Sequence, residues 1–245
     1  MNSKKTVERQ TGVALWRQIA DLIRLAISNG EYDKTGMVPP EMMLAGQFGV
    51  NRHTVRSALA ALAEEGLVQA IQGRGTIIQR RERLSFPISR RTRFSRGLSD
   101  QTRDIEARLL AHATLPAAGE VAAGLGIAPG ASCIQLKLLS SADGRPVSCS
   151  TSYFPEARFP RIAEHFDKLG SITKAFAAEG LADYVRASTE LVARHADANE
   201  LSLLRLSPGA IVIEATAINA DPDGAPVQFA RTRFAADRVK LKIET

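Results

Sequence analysis

The chain has 245 residues, of which 44% are hydrophobic and 24% charged, with a net charge of +6 at pH 7. This hydrophobic content excludes an intrinsically disordered chain, and the length is enough for two domains, one small and one of ordinary size. Because no apolar run reaches the length of a membrane span and no secretory signal is present, we expect a cytoplasmic protein without a membrane partner.

The basic charge is concentrated in the first part of the chain. Residues 1–80 hold ten Lys or Arg against seven Asp or Glu, and residues 81–103 hold seven against two. Residues 104–245 hold fifteen against seventeen, which leaves them nearly neutral. We therefore expect a polyanionic partner for the first part of the chain and a different task for the rest.

Helices are predicted before and after a short turn near residue 50. The first covers residues 13–28, where apolar residues recur at helical spacing, and a shorter one follows Pro39. Gly49 ends the shorter helix because glycine tolerates the left-handed cap conformation. Asn51 is a good N-cap for the next helix. The buried face of that helix consists of Val55, Leu59 and Leu62.

Polar residues at the start of this last helix and at the hairpin after it are the predicted DNA contacts. A helix-turn-helix reads DNA with the first turns of its second helix in the major groove. The glycine-flanked hairpin tip is narrow enough to approach phosphates or the minor groove. A small helical domain with solvated arginines is the alternative, but the ordered run favours a winged helix-turn-helix on double-stranded operator DNA. The predicted contacts are Arg52, His53, Thr54, Arg56, Gly73, Arg74 and Gly75.

This run resembles the DNA-binding domain of the GntR family of bacterial regulators. The family pattern reads approximately L-P-S-E-x-x-L-A, S-R-x-T-V-R-x-A-L and G-x-G-T, and the match covers about residues 10–80. The chain departs from it at two positions. Pro40 replaces the usual serine, and Met42 stands where many members carry an arginine that touches DNA.

Residues 80–93 carry six arginines and one proline and predict a basic linker. It is either simply solvated or in contact with the DNA backbone, and both alternatives stay open. After it, Ser95 is a candidate N-cap. A helix that begins there would leave backbone N–H groups for an anion near Ser95 and Arg96, although a plain structural cap is the alternative.

We assign residues 1–79 to the winged helix-turn-helix domain and residues 94–245 to a ligand-binding and dimerisation domain. An internal repeat organises the latter. Leu125-Gly126-Ile127-Ala128-Pro129-Gly130-Ala131 is echoed by Leu204-Arg205-Leu206-Ser207-Pro208-Gly209-Ala210, and Asp143-Gly144-Arg145-Pro146-Val147 by Asp223-Gly224-Ala225-Pro226-Val227. Both echoes are separated by about eighty residues. We therefore expect one antiparallel sheet with approximate two-fold symmetry and a ligand pocket between its halves. Strands are predicted at 134–140, 146–153, 186–195, 210–218 and 227–234, and helices at 171–178 and 197–204.

Residues 94–240 resemble the effector-binding (UTRA) domain of the HutC branch of this family, which shares its fold with chorismate lyase. Arg93-Phe94-Ser95 with Asp100-Gln101, together with Asn51-Arg52-His53-Thr54, resembles the regulators of phosphonate operons. The resemblance implies an α+β protein, namely an N-terminal winged helix-turn-helix followed by an antiparallel-sheet effector domain. It also implies effector contacts at Ser95, Arg96, Leu138, Ser140, Ser150, Ser171, Thr173, Gln228 and Phe234.

The charge of these positions bears on the ligand. Sugar-phosphate-binding members often have arginines at the positions of Leu138 and Ser140 and glutamates at those of Ser150 and Gln228, so a hexosamine phosphate is not expected. An anionic effector would need Arg96, Arg231 or Lys137 as its counter-charge, unless strand alternation turns the last two away.

Enzymatic chemistry is not expected. The four histidines, His53, His112, His165 and His195, are far apart and form no metalloprotease or hydrolase signature. Cys133 and Cys149 have no partner spacing for zinc or a redox pair, so neither a metal nor a cofactor is expected. We predict a homodimeric repressor released from its operator by a small anionic metabolite such as a phosphonate or phosphate ester. The alternatives are a lyase-like enzyme tethered to DNA and a regulator of the same family that responds to organic acids or the histidine pathway.

Overall fold

The computed structural model describes residues 13–79, 83–89 and 101–243. The chain divides into two compact units, residues 1–82 and residues 83–245. Each has its own hydrophobic core. The division lies close to the start of the linker predicted at residues 80–93.

The first unit packs helices on a small antiparallel sheet. Its core includes Ile19, Ile23, Leu44, Val55 and Leu62, which are fully buried. The elements of this unit are α1 (Leu15–Ser28), β1 (Met37–Val38), α2 (Glu41–Phe48), α3 (Arg52–Glu64), β2 (Val68–Ile71) and β3 (Gly75–Ile78). The strands pair in the order β1-β3-β2, so that the hairpin after α3 forms the wing. This confirms the predicted winged helix-turn-helix.

The second unit is built around a six-stranded antiparallel sheet. The elements of this unit are β4 (Leu84–Ile88), β5 (Ile105–Pro116), α4 (Gly119–Leu125), β6 (Ser132–Ala142), β7 (Arg145–Pro155), α5 (Ile162–Leu169), α6 (Ile172–Ala178), β8 (Val185–His195), α7 (Ala198–Leu203), β9 (Ile211–Ala220), β10 (Pro226–Ala235) and β11 (Val239–Ile243). The strand order in the sheet is β5-β6-β7-β10-β9-β8. Helices α5 and α6, together with β6 and β7, enclose a core that contains Phe154, Phe159 and Phe176.

The predicted repeat corresponds to two strand-helix-strand-strand halves. One half is β5-α4-β6-β7 and the other is β8-α7-β9-β10. They join where β7 pairs antiparallel with β10, with Thr151 opposite Arg231. Since Arg231 follows Thr151 by the repeat length, the approximate two-fold axis passes between these two residues. One antiparallel sheet with internal symmetry was expected, and this is its observed form.

Part of the predicted linker is folded into the second unit. Strand β4 pairs in parallel with the C-terminal strand β11, with Phe86 opposite Leu241. The side-chain amide of Gln101 bonds the other edge of β4, where Oε1 accepts from Ser85 N and Nε2 donates to Ser85 O, both at 2.7 Å. Residues 84–88 are therefore a strand and not a solvated connection. Sequence patterns did not predict this strand, because its partner β11 lies more than 150 residues away in the chain.

Candidate DNA interface and effector pocket

The cap of α3 orders the start of the recognition helix. Asn51 Oδ1 accepts hydrogen bonds from Thr54 N at 2.8 Å and from Thr54 Oγ1 at 2.9 Å, which satisfies an N–H group that the helix itself cannot bond. Arg52, His53 and Arg56 are exposed, whereas Thr54 is half-buried. The Thr54 hydroxyl already serves the cap. The longer side chains therefore have more reach for base edges or phosphates.

Both recognition-helix arginines are bonded to one carboxylate of α2. Arg56 donates to Glu41 through Nε at 3.2 Å and Nη2 at 3.0 Å, and Arg52 Nη2 donates to it at 3.3 Å. Hydrogen bonding to Arg56 lowers the pKa of the Glu41 carboxyl, so this residue stays ionised. The two guanidinium groups are thus oriented together before any DNA arrives, a contact that the sequence did not reveal.

The wing places Arg74 between two glycines that both adopt a positive φ angle. Gly73 and Gly75 have φ of +76° and +94°, the left-handed region that L side chains rarely adopt. A Cβ atom at Gly75 would also come within 2.8 Å of Met37 Cε. Arg74 is exposed at the tip, and its backbone N–H donates to Ile71 O at 3.0 Å. This tight turn places Arg74 at the tip of the wing, with the exposed Gln72 as the other long side chain of the turn.

A cavity of about 160 Å³ lies on one face of the six-stranded sheet. Its floor consists of small residues from the central strands, which leave room where larger side chains would fill the space. Ser150 is opposite Thr232, Ala230 is opposite Ser152, and Thr232 is opposite Ala215. The wall includes Ser171 and Thr173 at the start of α6, and Phe86 and Ile88 of β4.

Polar groups cross the floor at one end in a buried row. Asn219 is opposite both Arg186 on β8 and Gln228 on β10. Asn219 Nδ2 donates to Gln228 Oε1 at 2.7 Å, and Gln228 Nε2 donates to Ser152 Oγ at 3.0 Å. Asn219 Oδ1 is buried and accepts no hydrogen bond within the described part of the chain. The row therefore holds an acceptor that a ligand donor can satisfy.

Among the described residues that line the pocket, Arg186 is the one with a charged side chain. Its Nη1 donates to Thr189 Oγ1 at 3.2 Å, and no carboxylate lies within salt-bridge distance among the described residues. Burial lowers the pKa of the Arg186 guanidinium, although an arginine remains charged at neutral pH. A β-bulge between Arg186 and Ser188 shifts the alternation of β8, so that Arg186 and Thr189 both face the pocket. We did not select Arg186 from the sequence, since bulges are invisible to simple alternation.

The pocket brings together most of the effector residues selected from the sequence. Ser140, Ser150, Ser171, Thr173, Gln228 and Phe234 line it, and so does Leu138. Ser95 and Arg96 lie outside the described residues. Whether any of them touches a ligand stays a prediction.

Arg231 does not line the pocket, and this corrects its selection. On β10 the even-numbered residues from Gln228 to Phe234 line the cavity, so Arg231 points to the opposite face. There it is bonded to Glu120 of α4 and lies 3.7 Å from Glu214. Lys137 is exposed and also points away from the cavity, because Leu138 and Ser140 are the residues of β6 that line it.

The opposite face of the sheet carries an ion-pair network that includes a buried carboxylate. Glu200 accepts from Arg194 Nη1 and Nη2 at 2.8 and 2.7 Å, and it lies 3.3 Å from Arg233. Arg194 also bonds Glu214 at 2.6 Å. Hydrogen bonding to Arg194 lowers the pKa of Glu200. The network joins α7 to β8, β9 and β10, the strands that hold the polar row of the pocket.

A winged helix-turn-helix joined to a larger sheet-based unit is the architecture of a DNA-binding transcriptional regulator. Residues 15–78 match the family described as bacterial regulatory proteins, gntR family, and residues 100–240 match the UTRA domain. The chain belongs to the GntR family of bacterial transcriptional regulators and carries a UTRA domain. This confirms the resemblance noted in the sequence.

Individual relatives agree with this assignment. The chain is 69% identical over 241 residues to the uncharacterized HTH-type transcriptional regulator RB1450 of Rhizobium meliloti, covering 98% of this chain and 99% of that protein. It is 30% identical to the HTH-type transcriptional repressor PhnF of Mycolicibacterium smegmatis, covering 82% of this chain and 81% of that one. The crystal structure of PhnF from Mycobacterium smegmatis superposes with a TM-score of 0.62 at 25% identity, covering 93% and 98%. These relatives are regulators and not enzymes, and this chain is a regulator. Within the described residues, no helix is long and apolar enough to cross a membrane.

Proposed function

We propose that this regulator is a repressor that leaves its operator when a small anionic metabolite, such as a phosphonate or phosphate ester, binds the pocket of the second unit. It acts in the cytoplasm as a homodimer on double-stranded DNA. The observation that carries the proposal is that Phe86 and Ile88, on the strand that directly follows the DNA-binding unit, form part of the pocket wall. The PhnF relative, itself named a repressor, supports the direction of regulation.

The anionic character of the ligand follows from Arg186. A guanidinium beside hydroxyl and amide groups, without a carboxylate partner in the described chain, suits a carboxylate, phosphate or phosphonate. Thr189 and Tyr184 lie beside it, and Tyr184 OH is 2.8 Å from Thr173 Oγ1. These groups can bond the remaining ligand oxygens.

The coupling follows from the position of β4. Phe86 is buried and contacts Phe234 with ring centroids 5.2 Å apart, and both rings line the pocket. A ligand that needs space near these rings favours a different position of β4, and β4 is the first strand after residue 82. A ligand shifts such an equilibrium only through its different affinity for the two arrangements. Coupling of about 1–3 kcal/mol would lower operator affinity roughly five- to a hundredfold.

Dimerisation follows from how helix-turn-helix proteins read DNA. Their operators are palindromic because the bound protein has two-fold symmetry, with half-sites about one helical turn apart. The first unit is small and uses its exposed helix start and wing for DNA. We therefore assign dimerisation to the second unit.

The test measures operator release. An operator is selected from random duplexes with the full-length protein, and effectors are found by thermal-shift screening of phosphonates, phosphate esters and organic acids. Fluorescence anisotropy then compares wild-type protein with Arg186→Leu and with Lys137→Ala, a cation on the opposite face of the same sheet. We expect wild type and Lys137→Ala to release DNA at the same effector concentration and Arg186→Leu to need at least tenfold more. Equal release by all three would place the anion elsewhere.

A further inference from the structure

The pocket floor changes character from one end to the other. The strand register divides it into cross-sheet rows that are two residues, or roughly 7 Å, apart. The first row is Arg186, Asn219 and Gln228. The second is Thr189, Ala217, Ala230 and Ser152, and the third is Ala215, Thr232, Ser150 and Leu138. The fourth is Phe234, Ser148, Ser140 and Ala107.

The two middle rows provide the space for a ligand. Five of their floor residues are Ala or Ser, and these short side chains leave the depression between larger groups at each end. The cavity, about 160 Å³, is close in size to the roughly 150 Å³ that holds one benzene molecule in an engineered protein core. Benzene has six heavy atoms, so a small ligand of about six to ten heavy atoms is the right scale. It has only the two middle rows to span, because the Arg186 guanidinium reaches the second row, where Nη1 donates to Thr189 Oγ1 at 3.2 Å.

The first row places a positive charge at one end of the pocket. Arg186 contributes the guanidinium, and the buried Asn219 Oδ1 contributes an acceptor without a partner in the described chain. Gln228 is fixed by its bonds to Asn219 and Ser152. An anionic head satisfies the guanidinium, and a phosphonate that keeps one P–O–H group can also donate to Asn219 Oδ1, which a carboxylate cannot do.

The opposite end is covered by apolar side chains. Phe86 lies over Phe234, and Ile88 and Ile105 complete the cover. Phe86 and Phe234 are 5% and 3% exposed, and the polar partners in this row are the hydroxyls of Ser140 and Ser148. A charged group here would therefore lose its water without gaining a counter-charge. An apolar group at this end would be bound by burial and ring contacts.

We propose that the effector is amphipathic, an alkyl or aryl phosphonate or carboxylate whose anionic head lies at Arg186 and whose apolar group lies against Phe86 and Phe234. This deepens the proposed function, on which it rests. It also explains how β4 could change position, because the apolar group of the ligand would contact Phe86 on this strand. The serine and threonine hydroxyls of the middle rows bond the head group or one another.

The test is calorimetry on the full-length protein with a fixed set of probes. Phenylphosphonate and phenylacetate carry both features, methylphosphonate and inorganic phosphate carry the charge alone, benzyl alcohol carries the ring alone, and glucose 6-phosphate carries charge with hydroxyls. We expect phenylphosphonate or phenylacetate to bind at least tenfold more tightly than the other four. The ratio between the first two distinguishes a phosphonate from a carboxylate head. Equal or tighter binding of inorganic phosphate, methylphosphonate or glucose 6-phosphate would overturn the proposal.

Two substitutions test which end of the pocket binds which part of the ligand. Arg186→Leu should weaken phenylphosphonate at least tenfold and leave benzyl alcohol unchanged, whereas Phe86→Leu should reduce the advantage of phenylphosphonate over methylphosphonate. Lys137→Ala should change neither the affinity for phenylphosphonate nor its advantage over methylphosphonate. Thermal unfolding confirms that each variant is folded. If Phe86→Leu is folded and the advantage persists, the apolar end is assigned wrongly.

The same ligands are added to the operator complex, so that the two proposals fail separately. Release of DNA by a purely polar anion alone would overturn the amphipathic effector and leave the effector-released repressor intact. Tight binding of phenylphosphonate without release, with both variants behaving as expected, would overturn the release mechanism and keep the ligand class.

Discussion

Replacing Glu200 tests whether the ion-pair network behind the pocket stabilises the second unit. The Glu200 side chain is 3% exposed and bonds Arg194 twice, with Arg233 at 3.3 Å. It also completes the capping box of α7, since Glu200 Oε2 accepts from Asp197 N at 2.9 Å and Asp197 Oδ1 accepts from Glu200 N at 2.8 Å. Glu200→Ala removes all of these side-chain bonds except the last.

The magnitude follows from what remains after the change. Removing one partner of a buried pair costs about 3–5 kcal/mol when the other charge is left alone. Here Arg194 and Arg233 keep Glu214, at 2.6 and 3.6 Å, and Arg194 is about a third exposed to water. We therefore expect Glu200→Ala to lower the free energy of unfolding by about 2–4 kcal/mol. Glu164→Ala is the control, because its pair with Arg161 is exposed on both sides and is worth at most about 0.5 kcal/mol.

The assay separates the two units. Trp16 is the single tryptophan and belongs to the core of the first unit, so its fluorescence follows that unit during urea unfolding. Circular dichroism in the far ultraviolet also follows the sheet of the second unit. Glu200→Ala should shift the sheet transition and leave the Trp16 transition in place. A shift below 1 kcal/mol in the sheet transition, or one equal to that of Glu164→Ala, would refute the reasoning.

The difference should also depend on pH in a defined direction. The pKa of Glu200 is lower in the folded state than in the unfolded chain, where a glutamate titrates near about 4.3. Its stabilisation is therefore complete above that unfolded value and is lost as the pH falls through the folded value. The gap in unfolding free energy between wild type and Glu200→Ala should be largest near pH 7 and narrow below about pH 4. A gap that widens on acidification would contradict this sign.

Arg52→Ala should lower specific operator affinity by about 1–3 kcal/mol in anisotropy, as for a lost base contact, whereas Arg74→Ala should weaken binding without changing half-site preference. Gly124→Ala should lower the free energy of unfolding by about 1–3 kcal/mol, because the added Cβ would lie 2.4 Å from the buried ring of Phe229. Gly46→Ala, where the added Cβ meets open space, should raise the free energy of unfolding by roughly 0.5–1 kcal/mol, measured by urea unfolding. A fragment of residues 83–245 should sediment as a dimer, and a monomer at tens of micromolar would contradict that assignment.

The sequence predicted what local chemistry determines. The cap at Asn51, the helix end at Gly49 and the glycine-flanked wing each depend on a few adjacent residues, and the structure has all three. The repeat predicted the symmetric sheet because its turn residues recur. The positions carried over by resemblance that lie in the described part of the chain also line one pocket.

Pairing between distant segments could not be predicted in this way. Strand β5 was missed because it is an edge strand with an Ala-rich, half-exposed pattern, and β4 has its partner more than 150 residues away. Arg186 faces the pocket through a bulge, and Arg231 is turned away by the parity of β10. Arg186 was therefore not selected from the sequence, and Arg231 was selected although its side chain lies on the opposite face, because both outcomes depend on register across the sheet.

The two-fold axis between Thr151 and Arg231 has an evolutionary consequence. It relates Arg186, Asn219 and Gln228 to Ala107, Ser140 and Ser148, which occupy the matching register positions about eighty residues earlier. A duplicated ancestor would have offered two identical binding ends, suited to a palindromic molecule. In the present chain only one of the two related ends carries a guanidinium among the described lining residues. Ala107→Arg would place a second guanidinium at the related position of the wall, and calorimetry should then show a shift in selectivity toward dianions such as short dicarboxylates.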